Sequence, residues 1–194
     1  MIQVVELASQ SIDVNFFVPL QSSLLPPEAA HFTTMNEIPL FPDRLDFWKS
    51  QVLHAFREVI IQAPQIISES LEHVIWTQGS SLLRSSNTSG TDELISQVGD
   101  QLRQELLRLV RSEIELSQIT WALILDRYSI WQRATSMWGW PPLAEVSIDP
   151  SDHLSELFVT TYLRQLGVQE ERLRTTPVIR GSGSFLELFQ QDGR

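Results

Sequence analysis

TDELISQVGDQLRQELLRLVRSEIELSQITWALILDRYSIWQRATSM, residues 91–137, decides the fold class. Ile95, Val98, Leu102, Leu106, Leu109, Val110, Ile114, Trp121, Ile124, Tyr128 and Trp131 recur three and four residues apart, the period of one helix face. Asp92 and Glu93 suit the positive end of a helix dipole and mark the start. Unbroken to Met137, the helix would be roughly 70 Å long at 1.5 Å per residue. A compact chain of this length has a radius of gyration of only about 16 Å. The helix must therefore break, protrude or rest on a second chain. Gly99 and the polar step Ser117, Gln118 and Thr120 are the expected break points, and the conflict itself points to an oligomer.

Four of the six tryptophans lie between Trp121 and Trp140. Trp121 and Trp131 sit in the apolar stripe and read as core. Trp138 and Trp140 flank Gly139 ahead of Pro141 and Pro142, where a turn would leave them as anchors for a partner, unless they too are core.

Upstream, Asp43 is positioned as an N-cap. Leu45, Trp48, Val52, Phe56, Val59 and Ile60 then follow a helical period until Pro64, which should stop the helix. A second helix from about Gln65 directs Ile67, Leu71, Val74 and Ile75 inward, and the run Ser85 to Gly90 reads as a loop. Downstream, Asp149, Pro150 and Asp152 supply a cap, an N1 proline and a first-turn acid for a helix. It carries Leu154, Leu157, Phe158, Tyr162 and Leu166 inward and should end at Gly167, a glycine C-cap with Val168 as its apolar follower.

Residues 1–42 have a different pattern. Ile12, Val14, Phe16, Val18 and Leu20 alternate with mostly polar residues, and Ile2 and Val4 begin a shorter extended run, so a small β-hairpin is expected. A short strand at Leu143 to Ile148 would pair with it. Pro19, Pro26, Pro27, Pro39 and Pro42 leave room for only short regular structure between Leu20 and Pro42, apart from a turn of helix near Glu28 to Phe32. The expected class is therefore mainly α: four to five helices including one long one, with an N-terminal hairpin. The expected division is an extended arm over 1–42, a helical domain over 43–168, and a flexible tail over 169–194 ending in a short apolar docking segment.

Composition excludes several functions. The formal net charge is -10, from 14 basic and 24 acidic residues, which opposes binding of duplex nucleic acid or anionic membranes. The chain has no cysteine, so it has no disulfide, thiolate nucleophile or cysteine metal site, and it suits a reducing compartment such as the cytoplasm. No segment reaches the ~20 apolar residues of a membrane helix. Glycines form neither GxGxxG nor GxxxxGK[ST], and there is no Gly-x-Ser-x-Gly elbow.

Two His/Glu pairs remain as candidate chemistry. His54 with Glu58, and Glu69 with His73, are each four residues apart on what read as adjacent helices, an arrangement able to place two imidazoles and two carboxylates around one metal. The same spacing is common on solvated helix faces. Asp149-Pro150-Ser151-Asp152-His153 resembles the acidic-Pro-x-Asp-His signature of the helical chaperones that mature twin-arginine-exported redox enzymes. The resemblance covers five residues, and the acidic-Leu pair that follows it, Glu156-Leu157, comes one position early. A well-capped helix start accounts for the same residues.

At the C-terminus Phe185, Leu186, Leu188 and Phe189 follow the link Gly181 to Ser184. One turn of helix there is marginal in water without a surface to pack on, in its own chain or another. The expected function is non-enzymatic: an acidic helical interaction or assembly protein, an adaptor, scaffold or chaperone-like factor. It would need no cofactor and would bind a protein partner or itself through the apolar stripe of the long helix, in a coiled-coil manner, and through Trp138, Trp140, Phe185, Leu186, Leu188 and Phe189. The alternative is a helical-bundle metalloprotein or ligand-binding enzyme using His54, Glu58, Glu69 and His73.

Overall fold

The computed structural model describes residues 2–76, 88–138, 146 and 148–175. It is mainly helical, and among these residues there is no strand. Five α-helices, α1 (Ile2–Gln10), α2 (Phe41–Glu72), α3 (Ser89–Glu113), α4 (Glu115–Met137) and α5 (Ser151–Thr175), are joined by three 3-10 helices at Val14–Phe16, Val18–Ser23 and Pro27–Thr34. Among the described residues eight helical elements thus stand where four or five helices were expected. No helix among the described residues is long and apolar enough to cross a membrane.

The N-terminal hairpin is absent. Val4, Val5, Ala8 and Ser9 are the buried residues of α1, a helical i, i+1, i+4, i+5 set. In the alternating stretch after it only Ile12 and Phe17 are buried, while Val18 is exposed. The three-residue turn of a 3-10 helix accommodates that run without a partner strand. Of the strand expected at 143–148, Val146 and Ile148 have no regular structure and the remainder lies outside the described residues.

Pro64 does not stop α2, which runs through it to Glu72. Proline removes one hydrogen bond, the one to the carbonyl four residues back, and that loss is offset here because Val59, Ala63 and Ile67 around it are fully buried. Gly167 likewise lies inside α5 rather than at its end. The long helix of residues 91–137 does break, at Ile114, a few residues before the expected polar step. The Ile114 amide still bonds to Val110, but the next bond is a short-span one from the Ser117 amide to Ile114, and the Ser117 hydroxyl donates to the same carbonyl at 2.7 Å. The same hydroxyl bond to the carbonyl three residues back is made by Ser50, Ser96, Ser112 and Ser129 inside continuous helices, so it accompanies the break without explaining it. Leu40, just before α2, has φ 62°, a left-handed conformation uncommon for a leucine.

The chain forms two compact units. The first takes residues 1–13, 60–106 and 159–194. Its core is Val4, Val5, Ile12, Ile67, Leu71, Leu94, Leu102, Tyr162 and Leu166, with the Ser68 hydroxyl tied to Glu6 at 2.9 Å. Gln97 of α3 ties down the segment that follows α2 by bonding both the amide and the carbonyl of Ile75. Ile75 and Ile95, expected inward, are exposed.

The second unit takes residues 14–59 and 107–158 and is centred on aromatic rings. Phe17 stacks on Phe158 at 4.9 Å and meets Phe56 edge-on. Phe32 packs against Phe41, Trp121 and Tyr128, and Trp48 lies 4.8 Å from Trp121. Residues 14–38 therefore supply core to this unit.

A methyl group added at Gly167 would meet only the Thr88 and Thr91 methyls at 3.7 and 3.9 Å, ordinary contact distances. Gly167→Ala should therefore raise stability by up to about 1 kcal/mol through helix propensity alone, read as a higher urea midpoint at unchanged slope.

Candidate interaction face

α4 is apolar on two sides. Its inner side, Ser117, Trp121, Ile124, Tyr128 and Thr135, is buried. Trp121 fixes the helix in place: its ring packs on Trp48 and Phe32, and its Nε1–H donates to the Ile148 carbonyl at 2.8 Å. Tyr128 shares a 3.1 Å hydrogen bond with His31 Nε2, and burial raises its phenol pKa, keeping it protonated. Trp131 is half-buried.

The outer side carries Leu116, Ile119, Leu123, Ile130 and Met137, all exposed, from 46% at Ile130 to 85% at Met137. At 100° per residue these centre roughly 140° from the buried side. Leu116, Leu123, Ile130 and Met137 are spaced seven apart, the repeat of a helix seam that meets another helix. Trp138, the residue that ends α4, is 68% exposed and prolongs the face. Trp140, Phe185, Leu186, Leu188 and Phe189 lie outside the described residues. The outer stripe was not singled out in the sequence, although its seven-residue spacing was there to be seen.

The His/Glu pairs do not lie on adjacent helices, because Pro64 leaves α2 continuous. His54 and Glu58, in the second unit, line a cleft of about 170 Å³ with Gln51, Glu113 and Ser117. Glu69, in the first unit, is exposed and accepts a 2.9 Å bond from Gln65, and His73 follows the end of the helix. Among the described residues no three histidine or acidic side chains gather to hold a metal ion.

Residues 149–153 act as the start of α5. The Asp149 carboxylate accepts from the Ser151 amide at 2.8 Å, and Ser151 accepts from Gln118 at 2.7 Å. Asp152 pairs with Arg111 at 2.9 Å, and His153 donates to the Ser23 carbonyl at 2.7 Å.

The first unit contains a buried ion pair. Glu170 is fully buried and accepts from the Gly90 and Thr91 amides at 2.9 and 2.7 Å, so it caps α3 from another helix. Arg174, one turn on, pairs with Glu170 and reaches the Ser89 hydroxyl at 3.1 Å. The pair occupies the anion-binding end of α3 with the chain's own carboxylate. Tyr162, also in this unit, has its phenol pKa driven far above the ordinary range by burial.

No family model, curated protein or solved structure matches this chain, so what it does has to be read from its own residues.

Glu170→Gln should cost about 3–5 kcal/mol, because it strands a buried guanidinium and weakens a helix cap; urea unfolding at neutral pH measures it. The buried neutral phenol of Tyr162 adds stability that is full below about pH 10 and falls as the pH rises above it, where the unfolded chain ionises first. Tyr162→Phe should flatten the loss between pH 10 and 11.5 in the same experiment.

Proposed function

We propose that this chain is a non-enzymatic interaction or assembly protein whose working surface is the outer face of α4, continued by Trp138. The observation that carries the reading is the seven-residue spacing of exposed Leu116, Leu123, Ile130 and Met137. Scattered surface leucines need no explanation, but a regular apolar stripe on a helix whose opposite side is already packed does. A helix of a protein partner, or of another copy, fits such a stripe. Trp140 and the apolar segment at 185–189 are assigned to the same role as further anchors. A cytoplasmic site of action fits a chain without cysteine.

A photo-cross-linking residue placed at Ile119 should capture a defined protein in native extract, its own chain included, while the same residue at exposed Asp46 captures none. Combining Leu123→Glu with Ile130→Glu should abolish the capture while changing stability by no more than about 1 kcal/mol. Equal capture from both positions, or none from Ile119, would sink the reading.

A further inference from the structure

We infer that the cleft between the first two 3-10 helices and α2 is a binding site for a small aliphatic monocarboxylate about the size of hexanoate. None of its lining residues belongs to the α4 face, so the site stands or falls apart from the interaction reading above. All of the cleft lies within the second unit. Val14, Asn15 and Val18 form one wall. Ser50, Leu53, His54 and Arg57, which share one face of α2, form the other, around a volume of about 230 Å³.

The core beneath holds these walls in place. Phe17 is fully buried, stacked on Phe158 and edge-on to Phe56. Its amide donates to the Val14 carbonyl at 2.8 Å, and its carbonyl accepts from the Leu20 amide at 3.0 Å. Val18 follows Phe17 in the chain and Arg57 follows Phe56, so this ring contact fixes how far apart the valine and the arginine stand.

The lining divides by chemistry. Val14, Val18 and Leu53 are apolar and only partly covered. His54 and Arg57 are exposed, and neither has a hydrogen bond or ion pair among the described residues. Acids outnumber bases by 24 to 14 in this chain, yet among the described residues none lines this cleft. Glu58 and Glu113 line the separate cleft that His54 also borders. The Ser50 hydroxyl donates to the Phe47 carbonyl at 2.6 Å, and Asn15 is engaged within the fold. The donors left for a ligand are therefore the Arg57 guanidinium and the His54 ring. An arginine fork takes both oxygens of a carboxylate, and an imidazole N–H beside it adds a further bond. A phosphate would meet the same donors but give Val14, Val18 and Leu53 nothing to touch. At about 30 Å³ for each water-sized atom, the cleft has room for about eight non-hydrogen atoms, the count of hexanoate. A cleft of that size takes the free acid whole.

Titration of the isotope-labelled full chain with sodium hexanoate, followed by NMR, tests the site. The amides of Val18, Leu53, His54 and Arg57 should shift together and saturate with a dissociation constant of about 1 mM, in keeping with so few atoms. Acetate, which lacks four methylenes, should bind at least about tenfold more weakly, and hexylamine should leave these amides unmoved. Arg57→Gln should weaken hexanoate at least about tenfold by removing the fork. Val18→Asp should do the same by setting a carboxylate in the opposite wall. Both replace exposed side chains, so an unchanged thermal midpoint should accompany each loss. Failure to saturate by about 20 mM, undiminished affinity in Arg57→Gln, or equal binding of hexylamine would overturn the site. A leucine-ended tripeptide with a free C-terminus that binds over about tenfold more tightly than hexanoate would overturn it too, by assigning the cleft to the end of a protein chain.

Discussion

Trp121 is where the separate stretches of the second unit are held together. Its ring touches Trp48 of α2 and Phe32 of the third 3-10 helix, and its N–H reaches back to Ile148 ahead of α5. A large aromatic buries more area than any aliphatic side chain, and a satisfied indole N–H lets it do so without a stranded donor. Because Trp121 orients α4 about its own axis, it also decides which residues of α4 look outward. The exposure of Leu116, Ile119, Leu123, Ile130 and Met137 is a geometric consequence of how tightly the opposite side is anchored.

The helical class was legible because helical periodicity extends over long stretches, and the start of α5 was legible because Asp149 and Pro150 are chemically specific to helix starts. Three features resisted reading for a common reason: a local preference was overridden by packing. Pro64 and Gly167 lower helix propensity, yet each sits amid residues whose burial outweighs a few kcal/mol of backbone cost. The alternation from Ile12 to Leu20 fits a strand only if another strand receives it, and none does among the described residues. The buried Glu170–Arg174 pair could not have been found from spacing, since i, i+4 acid–base pairs are commonplace on solvated surfaces and its partners at 89–91 are remote in the chain.

The outer face of α4 was missed for a subtler reason. Between 115 and 137 apolar residues fall on both sides of the helix, so a search for one stripe finds the inner one and treats the rest as noise. A helix apolar on two sides is a request for two neighbours. The second unit supplies one of them. The same ambiguity that hides the face in the sequence makes it informative in the structure, where burial separates the two sides.

The Glu170 cap has a consequence in time as well as in space. The amides it satisfies belong to residues 90 and 91, and the carboxylate follows 80 and 79 residues later in the chain. At synthesis rates of about 5–20 residues per second, α3 waits roughly 4–16 s on the ribosome before its capping group is even made. During that interval its first turn is open to water and to any passing anion or chaperone. The first unit, which draws on α1 as well as on the second half of α5, can close only after α5 has been made.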